Sequence, residues 1–374
     1  MICSGVDAIT GEFVAVEFTE TIRSVKILEA RGDVFLAPGF VDLQVNGFAG
    51  VDFNNPEASQ MEIGRALEAI VSTGVTRLLP TIITGSPDAM LASLSNLYRA
   101  KISLPLGRAI AGFHVEGPHI GAEDGPRGAH PARWVRPPAL DEFQRWQEAT
   151  EGNIRLVTLS PHWPDAPRYS AELAKSGVVV SIGHTGANAD QIAATVDAGA
   201  TLSTHLGNAA RGLMPKFPNC LWDQLAEDRL SASFIVDGIH LDDAFLRAAL
   251  RAKGVDRTIL VTDAAAPAGA APGRYGLGEL AVDLTADDRV VLAGTQKLAG
   301  SALRMNRAIT NTIRRGDLSL GDALQAATTN PARLIHLEGR TKGIETGDRG
   351  DLVLFRKTPE IVVEAVYLDG SRVA

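Results

Sequence analysis

Cysteine is nearly absent: Cys3 and Cys220 are the only two in 374 residues. They form no CxxC pair and no disulfide framework, which fits a reducing cytoplasm. Long apolar runs are missing as well. None reaches the ~18 residues that a membrane span needs. Met1–Asp7 has neither a basic stretch nor an apolar core, so no signal peptide is expected. Basic residues are outnumbered 36 to 44, and the net charge of −8 argues against nucleic acid or an anionic membrane as partner. A small anionic substrate stays compatible with that balance, because a local group of Arg and Lys can bind one inside an acidic protein. There is no internal repeat, no low-complexity segment, and no GxGxxG after the first apolar run.

What is present suits a globular enzyme of one barrel and a lesser module. Hydrophobic residues make up 45% and charged residues 21% of the chain, ordinary values for that class. The 37 glycines, many at the ends of apolar runs, point to repeated tight strand-to-loop turns. Eight short apolar runs follow one another: Phe40–Gly47, Arg77–Thr84, Ala109–His119, Ile154–His162, Val178–His184, Thr201–Asn208, Ala232–His240 and Thr258–Ala264. Several are nearly unbroken aliphatic stretches, the pattern of parallel strands buried on both faces. Helical segments separate most of them. Pro87–Tyr98 starts with Ser86 as N-cap and Pro87 at the first helical position; Asn188–Ala198 has Asn188 as cap and stops at Gly199. Eight alternating units predict an α/β fold, a parallel (β/α)₈ barrel. Both chain ends differ. Gly11–Leu28 alternates polar and apolar residues, and Gly343–Ala374 reads as short strands with turns at Gly347-Asp348 and Asp369-Gly370. Residues 1–38 and 342–374 are therefore expected to form a small β-sandwich module, with the barrel over residues 39–341.

The polar residues gather at the ends of those runs. Glu116 lies in the last part of the third, His184 ends the fifth, His205 lies in the last part of the sixth, His240 ends the seventh and Asp263 is next to last in the eighth. Six of the eight histidines lie in or just after such ends. A lone histidine there is more often a satisfied structural residue than a ligand. Five strands delivering His or a carboxylate to one rim is a different matter, because the C-terminal ends of barrel strands build the active site. Glu116, His184 and His205 match the three protein ligands of a catalytic zinc, with a fourth position open. Zinc lowers the pKa of bound water from ~15.7 towards ~7. Hydrolysis also needs a base, and Asp263 is the best-placed carboxylate. Its ordinary alternative is an N-cap, but Pro267 and the small residues after it disfavour a long helix.

The stretches Pro38-Gly39-Phe40-Val41-Asp42, His114-Val115-Glu116-Gly117-Pro118-His119, Gly183-His184-Thr185, Thr204-His205-Leu206-Gly207-Asn208-Ala209, Asp237-Gly238-Ile239-His240, Val261-Thr262-Asp263-Ala264, Leu298-Ala299-Gly300-Ser301 and Thr329-Asn330-Pro331-Ala332 resemble the amidohydrolase superfamily. More narrowly, they resemble its N-acetylglucosamine-6-phosphate deacetylases, from Pro38 to the tail. That resemblance implies hydrolytic removal of acetate from an N-acetyl amino sugar 6-phosphate. It assigns Glu116, His184 and His205 to a metal, Asp263 to the base and acid, and His130 to the substrate carbonyl. His240, Asn208 and Ala209 become substrate contacts. Many amidohydrolases carry His-x-His after the first strand; here Gln44-Val45-Asn46 stands in that place, as in single-metal deacetylases. One divalent ion per chain is therefore implied, with zinc expected and ferrous iron the alternative, and Gln44 and Asn46 are left to face the substrate. A homodimer is implied too. The family's phosphate-binding Arg has no clear counterpart in Asn208–Trp222; Arg211 and Lys216 are the candidates to replace it. Two other readings stay open: an amidohydrolase for an unphosphorylated or different N-acyl compound, and an inactive barrel serving as a binding scaffold.

Overall fold

The computed structural model describes residues 1–340 and 343–374. All eight expected strands are present, in one parallel sheet: Phe40–Val45, Val75–Ile83, Phe113–Glu116, Ile154–Leu159, Val179–Ile182, Ala200–Ser203, Ser231–Ile235 and Thr258–Val261. The first and eighth strands close the ring. Val45 bridges Ala264 in parallel, and Asn46 N donates to Ala264 O at 2.7 Å. Thr262 Oγ1 donates to Asp42 Oδ2 at 2.6 Å one step below. Every residue of Phe40–Val45 and of Val75–Ile83 is buried, as strands covered on both faces require. The helix after the second strand runs Pro87–Ser103 and is capped by Ser86, and Ala189–Asp197 is capped by Asn188.

The strands stop earlier than the apolar runs suggest. His184, His205 and Asp263 have φ of 50°, 31° and 49°. These left-handed conformations are unfavourable for residues with a Cβ and end the strand by turning the side chain inward over the rim. The third strand also begins later, at Phe113, because Pro105–Ala109 is a turn of 3₁₀ helix.

Both chain ends join one seven-stranded sheet. From edge to edge it runs Ser371–Arg372, Ile361–Leu368, Leu352–Lys357, Val34–Pro38, Ile2–Asp7, Phe13–Phe18 and Ile22–Ile27. Only the pair Ile2–Asp7 and Val34–Pro38 is parallel. The sheet curls over, so that Phe18 and Tyr367, on strands far apart in that order, meet edge to face at 5.1 Å. Val16, Leu36 and Leu352 fill the space between, as in a small sandwich. The expected boundary between barrel and module, at residues 341 and 342, falls outside the described residues. A buried ion cluster fastens this sheet to the bottom of the barrel. Asp351 accepts from Arg77 Nε at 2.8 Å, Arg77 Nη2 at 3.1 Å and Arg340 Nη1 at 3.1 Å.

One element escapes the sequence reading. After Asp263 the chain makes no long helix; it builds a three-stranded antiparallel sheet, Gly273–Leu277, Leu280–Leu284 and Val290–Leu292. Leu277, Val282, Leu284 and Val290 pack on Ile83, Ala265 and Ala299. This small sheet roofs one side of the barrel mouth.

Candidate active site

The C-terminal mouth of the barrel opens into a cavity of about 370 Å³. Glu116, His130, His184, His205, His240, Asp263, Asn46, Asn208, Ala209 and Arg211 all border it. At its floor, Glu116 Oε1 lies 3.2 Å from His184 Nε2 and 2.9 Å from His205 Nε2, and the two nitrogens are 3.1 Å apart. Ligands about 2.0–2.1 Å from a tetrahedral zinc stand roughly 3.4 Å from one another, so these three atoms have the spacing of a ligand set. Glu116, His130 and His184 form a second, overlapping set whose ligand atoms lie within 4.8 Å. His130 Nε2 is the more distant member, 3.8 Å from Glu116 Oε2.

The chemistry of the donors also fits a cation. His184 Nδ1 is 2.9 Å from the Pro126 carbonyl, which can only accept. The proton of a neutral ring is thereby fixed on Nδ1, and the Nε2 lone pair points at the carboxylate. Burial alone would raise the Glu116 carboxyl, but His184 and His205 outweigh it and hold it well below the usual range. Glu116 in turn draws the His205 imidazole upward against its own burial. The buried carboxylate and the two imidazole nitrogens converge on one point, where they could hold one metal ion.

Asp263 faces this cluster. Burial, and then the Glu116 charge, push its carboxyl up to about 7. Asn46 Nδ2 donates to Asp263 Oδ1 at 2.7 Å. Gln44 Nε2 donates to both Asp263 Oδ1 at 3.1 Å and Glu116 Oε1 at 2.8 Å. Gln44 thus lies beneath the cavity with its amide engaged by the two carboxylates, and it is not among the residues that border the space. The expected substrate contact from Gln44 is replaced by a bridge between carboxylates.

His130 is neutral, because burial and then the nearby His184 lower it to about 3. Its Nδ1 lies 2.8 Å from Thr84 Oγ1. Gly117 (φ +83°) keeps that contact open: a Cβ there would stand 2.2 Å from the Thr84 hydroxyl. His240 Nδ1 is 2.6 Å from Asp237 Oδ2. Asp237 also accepts from the His240 and Ile239 amides, a local turn that sets the ring. Burial would raise the Asp237 carboxyl, but the hydrogen bond with the His240 ring, with the two backbone amides beside it, outweighs that and keeps it low.

At the outer rim, Arg211 forms a bidentate pair with Glu123, both bonds 2.8 Å. Lys297 also borders the cavity and is paired with Asp124. Lys216 is exposed, 5.7 Å from the Phe217 ring, and does not border the cavity. Sequence reasoning misses Thr84, Asp237 as the partner of His240, and Lys297. The i,i+3 spacing of Asp237 and His240 is the one signal that was available; nothing local marks the other two.

A profile of the Amidohydrolase family matches residues 35–373. N-acetylglucosamine-6-phosphate deacetylase from Bos taurus is 36% identical over 354 residues, covering 91% of this chain and 84% of the relative. The enzyme of that name from Bacillus subtilis is 29% identical, with 90% and 85% covered. Among solved structures, an N-acetyl-D-glucosamine-6-phosphate deacetylase mutant from Mycobacterium smegmatis, in complex with N-acetyl-D-glucosamine-6-phosphate, superposes with a TM-score of 0.88 at 32% identity, over 97% of this chain and 95% of that one. The Thermotoga maritima deacetylase also gives 0.88, at 27% identity, with 100% and 99% covered. The chain belongs to the amidohydrolase family and, within it, to the N-acetylglucosamine-6-phosphate deacetylases.

Proposed function

We propose that the protein hydrolyses N-acetylglucosamine-6-phosphate to acetate and the amino sugar phosphate. The observation that carries this reading is a carboxyl near neutrality, Asp263, facing a buried Glu-His-His donor set in a cavity of sugar size. Glu116, His184 and His205 would hold one divalent ion, for which zinc best suits one carboxylate and two imidazoles, with ferrous iron the alternative. Bound there, the ion supplies Lewis-acid polarisation and a water of lowered pKa. Asp263 takes the proton of the attacking water and later returns it to the departing nitrogen, so the C–N bond breaks with a neutral amine leaving. A Thr84 hydroxyl donating to His130 Nδ1 puts the remaining ring proton on Nε2. The neutral imidazole can then donate to the acetamide oxygen as negative charge develops. His240, set by Asp237, and the Asn208-Ala209 turn contact the sugar.

The 6-phosphate is assigned to the outer rim, on Arg211 with Lys297. The fork of Arg211 that now holds Glu123 is the geometry a phosphate takes, and a dianion competes well with an exposed carboxylate. Lys216 has no part in this reading. Acetate release from N-acetylglucosamine with and without the 6-phosphate tests it: a strong preference for the phosphorylated sugar is expected. Equal or better turnover of the plain sugar would move the function to the alternative of a different N-acyl substrate.

The chain is further proposed to act as a homodimer. Leu213, Phe217 and Trp222 are 94%, 68% and 52% exposed on the segment that borders the cavity, and such an apolar group favours burial against a second copy. Light scattering should give twice the chain mass, and Leu213→Glu with Trp222→Glu should halve it. No helix among the described residues is long and apolar enough to cross a membrane. Two buried free cysteines suit the cytoplasm as the site of action. The barrel over residues 39–341 and the module of both ends are proposed as the two domains.

A further inference from the structure

The active cavity has a neighbour. A second cavity of about 220 Å³ lies between the second barrel strand and the helix Pro87–Ser103, bordered by Asn54, Ile82, Ala89, Met90, Ser93 and Gly278 among others. Ile83 borders both spaces. It is 6% exposed and pairs in register with Glu116 on the adjoining strand, while the next residue, Thr84, holds His130. On the active side Ile83 packs with Leu277 and Ala299, which also border that cavity. The tip of the small sheet completes the partition, with Leu277 on one side and Gly278 on the other. Gly278 N is anchored to Asp52 Oδ2 at 2.6 Å.

Ile83, Leu277 and Ala299 thus give the wall next to Glu116 and His130 an apolar face, and Ile83 is the member of that wall that also borders the second cavity. An acetamide whose carbonyl meets His130 and the donor set turns its methyl toward an apolar surface, and Ile83, Leu277 and Ala299 supply one. We propose that Ile83 is the residue that sets acyl length: it stops the pocket at a methyl group, and the cavity behind it is a latent site for longer acyl chains. The proposal rests on the deacetylase reading above and adds the acyl specificity of that site.

The step is the same amide hydrolysis for every acyl group: water adds to the carbonyl carbon, the C–N bond breaks and the carboxylic acid leaves. Only the pocket for the chain changes. One methylene in an apolar pocket is worth about 10–200-fold in specificity. In wild type, kcat/KM should fall by such a factor from N-acetyl- to N-propionylglucosamine-6-phosphate, and again to N-butyryl. Ile83→Ala joins the two cavities and should bring the ratio of butyryl to acetyl turnover up at least tenfold, with Ile83→Val between. Ala89→Leu, added to Ile83→Ala, fills the second cavity from the helix side and should reverse the gain; because Thr84 borders that cavity too, the readout is the butyryl-to-acetyl ratio and not the absolute rate. An unchanged acyl ranking in Ile83→Ala or Ile83→Val, with acetyl turnover retained, would overturn the proposal. So would a gain that Ala89→Leu leaves intact, or loss of all turnover in both Ile83 variants. Wild type inactive on every acyl sugar would instead overturn the deacetylase reading itself.

Discussion

Replacing Thr84 by valine tests whether the His130 ring is held in a working tautomer. Thr84 and His130 are 2% and 6% exposed, and Oγ1 to Nδ1 is 2.8 Å. Valine keeps the shape and removes only the hydroxyl. A neutral hydrogen bond contributes about 0.5–1.5 kcal/mol, and leaving its buried partner unpaired costs about 1–3 kcal/mol. Burial keeps His130 uncharged, and without the Thr84 hydroxyl nothing favours the tautomer with its proton on Nε2; a ring that carries the proton on Nδ1 instead turns a bare Nε2 toward the substrate oxygen. A loss of about 1–2 kcal/mol at the transition state corresponds to roughly 5–30-fold in kcat. Metal content should stay at the wild-type value, since Thr84 touches none of Glu116, His184 or His205. The assay is steady-state acetate release by four proteins: wild type, Thr84→Val, His130→Ala and the double variant. If Thr84 acts through His130, adding Thr84→Val to His130→Ala costs nothing further. Turnover of Thr84→Val within twofold of wild type, or a full additional loss in the double variant, would refute the reasoning.

Other outcomes follow from the same geometry. His184→Ala and His205→Ala should each lose bound metal as well as turnover, with wild type holding one ion per chain by elemental analysis; two ions both needed for rate would contradict the single donor set. Asp263→Asn should keep the metal and lose about 10²–10⁴-fold in rate, and retention of a tenth of the activity would point to another base. Because Asp263 must be ionised, kcat/KM should rise with pH and level off at or below about pH 7, since burial and Glu116 raise its carboxyl to about 7 and a cation beside Glu116 offsets the second cause; a limb still rising above pH 8 would exclude it. Asp351→Ala removes the buried carboxylate that Arg77 and Arg340 share, leaving Asp369 on Arg77, and should cost about 3–5 kcal/mol in chemical denaturation, whereas a loss under 1 kcal/mol would show the cluster to be hydrated.

The barrel is legible in the sequence because its strands are short, mainly apolar runs, a pattern that burial on both faces imposes, with histidines and carboxylates gathered at their C-terminal ends. Glu116, His184, His205 and Asp263 stand out for the same reason. Their strand boundaries do not, since the left-handed backbone at His184, His205 and Asp263 is a product of closing the ring. The sheet after Asp263 is hidden because its short strands, such as Gly273–Leu277, are largely exposed and lack the buried runs of the barrel. Contacts across long sequence separations are illegible in principle from one chain: Gln44 bridging Glu116 and Asp263, Arg77 meeting Asp351, and Lys297 reaching the cavity beside Arg211. Local sequence around Asn208 points only to Arg211 and Lys216, whereas the rim is assembled from several loops and brings Lys297 to the cavity beside Arg211.

The central claim is hydrolysis of the acetamide with Asp263 as base. It is tested most directly by incubating the metal-loaded protein with N-acetylglucosamine-6-phosphate in ¹⁸O-labelled water and following products by NMR and mass spectrometry. The account predicts acetate and glucosamine-6-phosphate in equal amounts, the label in acetate alone, and almost no product with Asp263→Asn. No acetate from the wild type, or equal rates from wild type and Asp263→Asn, would contradict it.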